Sequence, residues 1–113
     1  MIYVFDIDGT ICQNRCELNG DDYAQSKPFY DRIEKNNSLF DAGHTIIYLT
    51  ARGMGRTNNN VVESYKLFYD FTKKQLDDWG VKYHDLFLGK PSADVYVDDK
   101  GENAWRYYGN ETR

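Results

Sequence analysis

The sequence predicts an α/β fold, an open parallel sheet flanked by helices, in one domain spanning residues 1–113. Two observations carry this reading. Short runs rich in β-branched and aromatic residues alternate with longer amphipathic segments, and three of those runs stop abruptly at polar residues. No repeat, low-complexity tract or linker interrupts the alternation, and 113 residues give room for one core.

The first run is Ile2-Tyr3-Val4-Phe5, which ends at Asp6. A helix is expected over Pro28 to Phe40, begun near Ser26 and Pro28 and stopped at Gly43, which supplies a left-handed terminus. The second run, Thr45 to Leu49, ends at Thr50. Val61, Val62, Tyr65, Phe68, Tyr69, Thr72, Leu76 and Trp79 then follow the three-and-four spacing of a buried helical stripe, which Gly80 closes and Asn58-Asn59-Asn60 precedes as a cap. Short strands are expected around Val81–Tyr83 and Leu86–Leu88. The third clear run, Asp94-Val95-Tyr96-Val97, ends at Asp98, and Glu102 to Tyr108 closes the chain as a short helix.

Composition narrows the function classes. With 41% hydrophobic and 28% charged residues, the chain can bury a core. A formal charge of −4 without a basic stripe argues against nucleic acid or an anionic membrane as a general partner. No apolar stretch approaches the ~20 residues that cross a bilayer, and no signal segment opens the chain, so the cytoplasm is the expected location. Cys12 and Cys16 read as reduced packing residues, since a metal site would need further Cys or His ligands, and His44 and His84, in separate elements without ligand spacing, read as structural.

In an open parallel sheet, ligands bind beyond the carboxyl ends of the strands. Asp6 and Asp8, Thr50, and Asp98 and Asp99 would meet there. Four carboxylates at one rim repel one another unless a cation sits among them, and an all-oxygen set suits Mg²⁺. An EF-hand reading of the first cluster fails, because placing Gly9 at the loop glycine puts Val4 and Arg15 at ligand positions. A GxxxxGK[ST] phosphate loop is absent.

These motifs resemble those of the haloacid dehalogenase-like (HAD) superfamily. Asp6-Ile7-Asp8-Gly9-Thr10 is similar to its first motif, Thr50 to the second, Lys90 in Gly89-Lys90-Pro91 to the third and Asp98-Asp99 to the fourth, in that order over residues 2–99. The stretch Thr50-Ala51-Arg52-Gly53-Met54, the Gly89-Lys90-Pro91 turn and the Asp98-Asp99 pair further resemble small phosphatases of capsular-polysaccharide and sugar-nucleotide gene clusters. The resemblance implies a Rossmann-like core without a cap domain. It also implies a Mg²⁺-dependent phosphomonoester hydrolase acting through an aspartyl-phosphate, on a sugar phosphate or related small metabolite of polysaccharide biosynthesis.

By the same resemblance, Asp6 is the nucleophile, and Asp8 protonates the leaving oxygen and then activates water. Thr50 and Lys90 hold the phosphoryl oxygens, and Asp6, the backbone carbonyl of Asp8, Asp98 and Asp99 hold the metal, Asp99 directly or through water. The expected substrate contacts are Gly9, Thr10, Ala51, Arg52 and Arg56, the two arginines offering fork geometry to a second anionic group. A polynucleotide 3′-phosphatase and a non-catalytic phospho-receiver or scaffold domain are the alternative readings. Trp105, Tyr107 and Tyr108 are expected either in the core or at the centre of a dimer or tetramer interface, which a small sheet with an open edge would need.

Overall fold

The computed structural model describes residues 1–14 and 23–109. Three strands form one parallel sheet in the order β1-β2-β3: β1 is Ile2–Phe5, β2 is Thr45–Thr50 and β3 is Asp85–Leu88. Phe5 pairs with Tyr48, and Tyr48 with Leu86, so all three strands end at the same rim. Helix α1, Tyr30–Asp41, connects β1 to β2, and α2, Val61–Asp78, connects β2 to β3. Successive right-handed crossovers that advance in one direction place their helices on one face of the sheet. Accordingly Ile33 of α1 and Leu76 of α2 join one buried cluster with Phe5, Ile46, Tyr48, Leu86 and Leu88.

The alternate residues Ile2, Val4 and Phe87 point the other way and are exposed. The architecture is thus two-layered among the described residues, with the helices on one face.

Helix α1 begins two residues later than the sequence suggests, because Pro28 is held in a bridge opposite Cys12. At its end Gly43 has φ +97°, and the N–H groups of Gly43 and His44 donate to the carbonyls of Phe40 and Leu39. Helix α2 is capped as expected: the Asn60 side chain accepts from the Glu63 N–H at 3.0 Å. The buried stripe of α2 differs in its first turn. Val61 and Val62 are exposed, and burial starts at Ser64.

The expected strand at Asp94–Val97 is absent, and residues 91–101 are exposed and irregular. Local contacts take the place of a ladder. The Asp98 carboxylate accepts from the N–H groups of Lys100 and Gly101, the Tyr96 hydroxyl donates to the Pro91 carbonyl, and Lys90 Nζ lies 4.4 Å from the centre of the Tyr96 ring. The short terminal helix α3 is Ala104–Tyr107. Tyr108, which follows it, is 3% exposed and belongs to the core, so it does not supply a subunit interface; Trp105 and Tyr107 remain exposed. No helix among the described residues is long and apolar enough to cross a membrane.

Candidate active site

The carboxyl ends of the three strands bring four expected site residues to one rim. Asp6 and Asp8 follow β1, Thr50 ends β2, and Lys90 follows β3. The Lys90 N–H donates to the Thr50 carbonyl at 3.3 Å, which ties the third strand end to the second. The turn after β1 is tight: the N–H groups of Thr10 and Ile11 both donate to the Ile7 carbonyl, and that of Gly9 to Cys12. Ile7 and Ile11 are fully buried, so the loop is nailed to the core on either side of Asp8.

Asp6 keeps about a third of its side chain open to solvent, with Lys90 Nζ 3.9 Å from its Oδ1. Burial of the rest pushes its carboxyl above the ordinary range; Lys90 and the Ile7 N–H pull the other way. Asp6 is therefore an accessible carboxylate beside one cation. Asp8 differs. Its Oδ2 accepts from Arg52 Nε at 2.9 Å, and its Oδ1 from Arg52 Nη2 at 3.0 Å. The Cys12 thiol adds a weak contact to Oδ1 at 3.5 Å, and burial pushes that thiol up to about 12, keeping it protonated and unreactive.

Arg52 corrects the sequence reading. It is 1% exposed, engages Asp8 with both arms of its fork, lies 4.6 Å from the Tyr23 ring centre and donates to Thr72 Oγ1. A guanidinium so enclosed holds Asp8 and has no open face for a substrate's second anion. Its own backbone N–H donates to Thr50 Oγ1, so Thr50, Arg52 and Asp8 form one connected unit.

Ala51 is partly exposed at the rim, as are Gly9 and Thr10 in the first loop. Arg56 is exposed and stacks 5.1 Å from the Phe68 ring centre, so its guanidinium faces the aromatic side of α2. Of the loop expected over Gln13 to Tyr23 after the first motif, residues 15–22, Cys16 among them, lie outside the described residues.

The donor set does not fit Mg²⁺ in this arrangement. Among the described residues no three acidic, His or Cys side chains gather where they could hold a metal. Both Asp8 side-chain oxygens are engaged by Arg52, which leaves only its backbone carbonyl as the expected donor, and Asp98, its carboxyl lowered by the N–H groups of Gly101 and Lys100, caps its own turn. Asp99 is exposed in the same irregular segment.

A groove of about 740 Å³ opens elsewhere, between α2 and the β3 edge, lined by Tyr65, Tyr69, Tyr83 and His84 among others. None of the expected site residues lines it, and its Lys73 is paired with Asp77. The rim at Asp6, which carries the polar chemistry, is the better candidate.

Sequence reasoning missed the buried polar residues beneath the rim, Arg32 and Asn36. Both sit on α1, and their only signal was their place on the helix face that carries Ile33.

No protein-family model matches the chain, and neither does any curated protein. Among solved structures, it is similar to the crystal structure of a structural-genomics target from Vibrio cholerae, with a TM-score of 0.83 and 26% identity over 96% of this chain and 87% of that one.

Proposed function

We propose that the chain is a phosphomonoester hydrolase that forms an aspartyl-phosphate on Asp6, with a small phosphorylated metabolite such as a sugar phosphate as substrate. The observation that supports it most is the pairing of a partly open carboxylate, Asp6, with Lys90 at 3.9 Å on a strand-end rim. Lys90 offsets the repulsion between the attacking carboxylate and a phosphoryl dianion, and so favours the anionic transition state. In the first step an Asp6 oxygen forms a bond to phosphorus while the bond to the leaving oxygen breaks. In the second, water attacks the acyl phosphate, frees inorganic phosphate and restores the Asp6 carboxylate.

Asp8 accepts two guanidinium N–H groups, which fix its carboxylate, and its remaining lone pairs can accept a hydrogen bond from the attacking water and orient it. Donating a proton to the leaving oxygen requires one of those bonds to open, so good leaving groups are the better substrates for this arrangement.

The test is phosphate release from a panel of sugar phosphates, nucleotides, 3′-phosphorylated oligonucleotides and p-nitrophenyl phosphate, with and without MgCl₂. Turnover of small monoesters that disappears in Asp6→Asn is the expected result. Release from the oligonucleotides alone would favour a polynucleotide phosphatase, and no release from any substrate under either condition would overturn the proposal.

A further inference from the structure

Helix α1 carries a buried charge that the proposed reaction does not use. Arg32 is 1% exposed, and among the described residues its guanidinium meets no carboxylate. Nη1 donates to the Thr10 carbonyl at 3.0 Å, whereas Nε and Nη2 are buried with no hydrogen-bond partner among the described residues. Aromatic faces provide the rest of its environment, with ring centres 4.7 Å away at Tyr108 and 5.5 Å away at Phe29. The Tyr108 hydroxyl in turn donates to Asn36 Oδ1 at 2.8 Å, and Asn36 Nδ2 donates to the Tyr48 hydroxyl at 3.0 Å. A buried chain of contacts thus runs from the residue after α3, through α1, to β2 and to the loop after β1.

Enclosing a cation without a counter-charge is unfavourable, and an apolar side chain of similar length would fill the space without that penalty. What arginine adds is a charged donor at one point, the Thr10 carbonyl. Thr10 lies two residues beyond Asp8, and its N–H closes the turn onto Ile7. We propose that Arg32 is a positioning residue for the loop bearing Asp6 and Asp8. Arg32 fixes that loop through Thr10, and Tyr108 fixes Arg32, which makes the C-terminal segment part of the site's support. The kinetic consequence rests on the phosphatase reading; the loop restraint does not.

The experiment uses the full chain and the variants Arg32→Met, Arg32→Lys, Tyr108→Phe and Tyr108→Leu, each confirmed as folded by circular dichroism at the assay temperature. It reads kcat and KM on p-nitrophenyl phosphate, and amide hydrogen exchange. Small misplacements of reacting groups cost about tenfold to a hundredfold in rate, so Arg32→Met should lose that much kcat with KM changed less than about threefold. Its Thr10 and Ile11 amides should exchange faster while those of β2 do not. Arg32→Lys, which still donates to Thr10, should recover part of both. Tyr108→Phe keeps the ring over the guanidinium and should retain kcat. Tyr108→Leu should lose it, and adding Tyr108→Leu to Arg32→Met should cost little more.

A folded Arg32→Met with normal kcat and unchanged loop exchange would overturn the inference. If Arg32→Met does not fold, the Arg32→Lys and Tyr108→Leu results decide, and normal kcat and loop exchange in both would overturn it. If the wild-type chain hydrolyses no phosphomonoester, the function proposal fails and the exchange data alone decide the positioning role.

Discussion

Arg52 and Asp8, 44 residues apart in the chain, meet through two parallel N–H···O bonds of 2.9 and 3.0 Å. The arginine is fully buried, and only 15% of the Asp8 side chain reaches solvent. The contact exists because β1 and β2 are parallel neighbours, so the residues beyond their carboxyl ends share a rim. It makes the second carboxylate of the site a fixed group and leaves Asp6 as the accessible one.

Removing one partner of an enclosed ion pair strands the other, so Arg52→Ala should destabilise the fold by about 2–4 kcal/mol in urea titrations. Lysine cannot reproduce the fork, and Arg52→Lys should recover less than half of that loss. Because Arg52 acts through Asp8, Arg52→Ala should change kcat with little change in KM on both an aryl phosphate and a sugar phosphate. A rise in KM confined to the sugar phosphate, with kcat kept, would return Arg52 to the substrate-binding role that its loop position first suggests.

Asp6 gives a pH-dependent prediction. Burial holds its carboxyl above its ordinary value of 3.8, so the native state binds that proton more tightly than the unfolded chain does. Its contribution to stability is then fully present below 3.8 and is lost as pH rises through the raised folded value. At pH 7 the ionised side chain is a burden that asparagine lacks. Asp6→Asn should therefore melt higher than the wild-type chain at pH 7, with the difference shrinking toward pH 4. A lower melting temperature at pH 7 would show that the Lys90 contact outweighs the desolvation.

The site was more legible in the sequence than the sheet around it. Asp6, Asp8, Thr50 and Lys90 each follow or end an apolar run, and strand ends in a parallel sheet converge whatever the detailed packing. Val95-Tyr96-Val97 has the same β-type composition as Ile2–Phe5, yet it forms no strand. Strand preference depends on what a segment packs against, and here the Asp98 side chain and the Tyr96 hydroxyl satisfy nearby backbone groups instead. Arg32 and Asn36 were hidden for a different reason: their burial depends on Tyr108, which lies 72 residues beyond Asn36. No local pattern on α1 reports a contact at that distance.

Metal affinity separates the sequence reading from the observed arrangement. A hard divalent cation needs several oxygen donors, and this rim offers it one accessible carboxylate beside a lysine. Titration calorimetry of the chain with MgCl₂ alone should show no saturable binding below about 1 mM. Binding tighter than about 10 µM would require Asp98 and Asp99 to leave their irregular segment and reach Asp6.

The turn that presents Arg52 gives the last prediction. Gly53 has φ +81°, and a Cβ built there would lie 2.7 Å from Phe68 Cδ2 and 3.2 Å from Ser64 Oγ. Its N–H also donates to the Tyr23 hydroxyl at 3.2 Å, the same residue whose ring faces the Arg52 guanidinium. Gly43 offers an internal control, since its φ is +97° but nothing lies within 4 Å of a built Cβ. Both alanine variants carry the left-handed backbone cost of about 1 kcal/mol, and only Gly53→Ala adds overpacking against α2, typically 1–3 kcal/mol more. Gly53→Ala should therefore lose about 2–4 kcal/mol in urea unfolding, against about 1 kcal/mol for Gly43→Ala. It should also lower kcat, because Phe68 and Arg52 cannot both keep their places once the turn shifts, whereas Gly43→Ala should not. Equal losses of stability in the two variants would mean that the Phe68 ring yields freely, and that the turn does not fix Arg52 against Asp8.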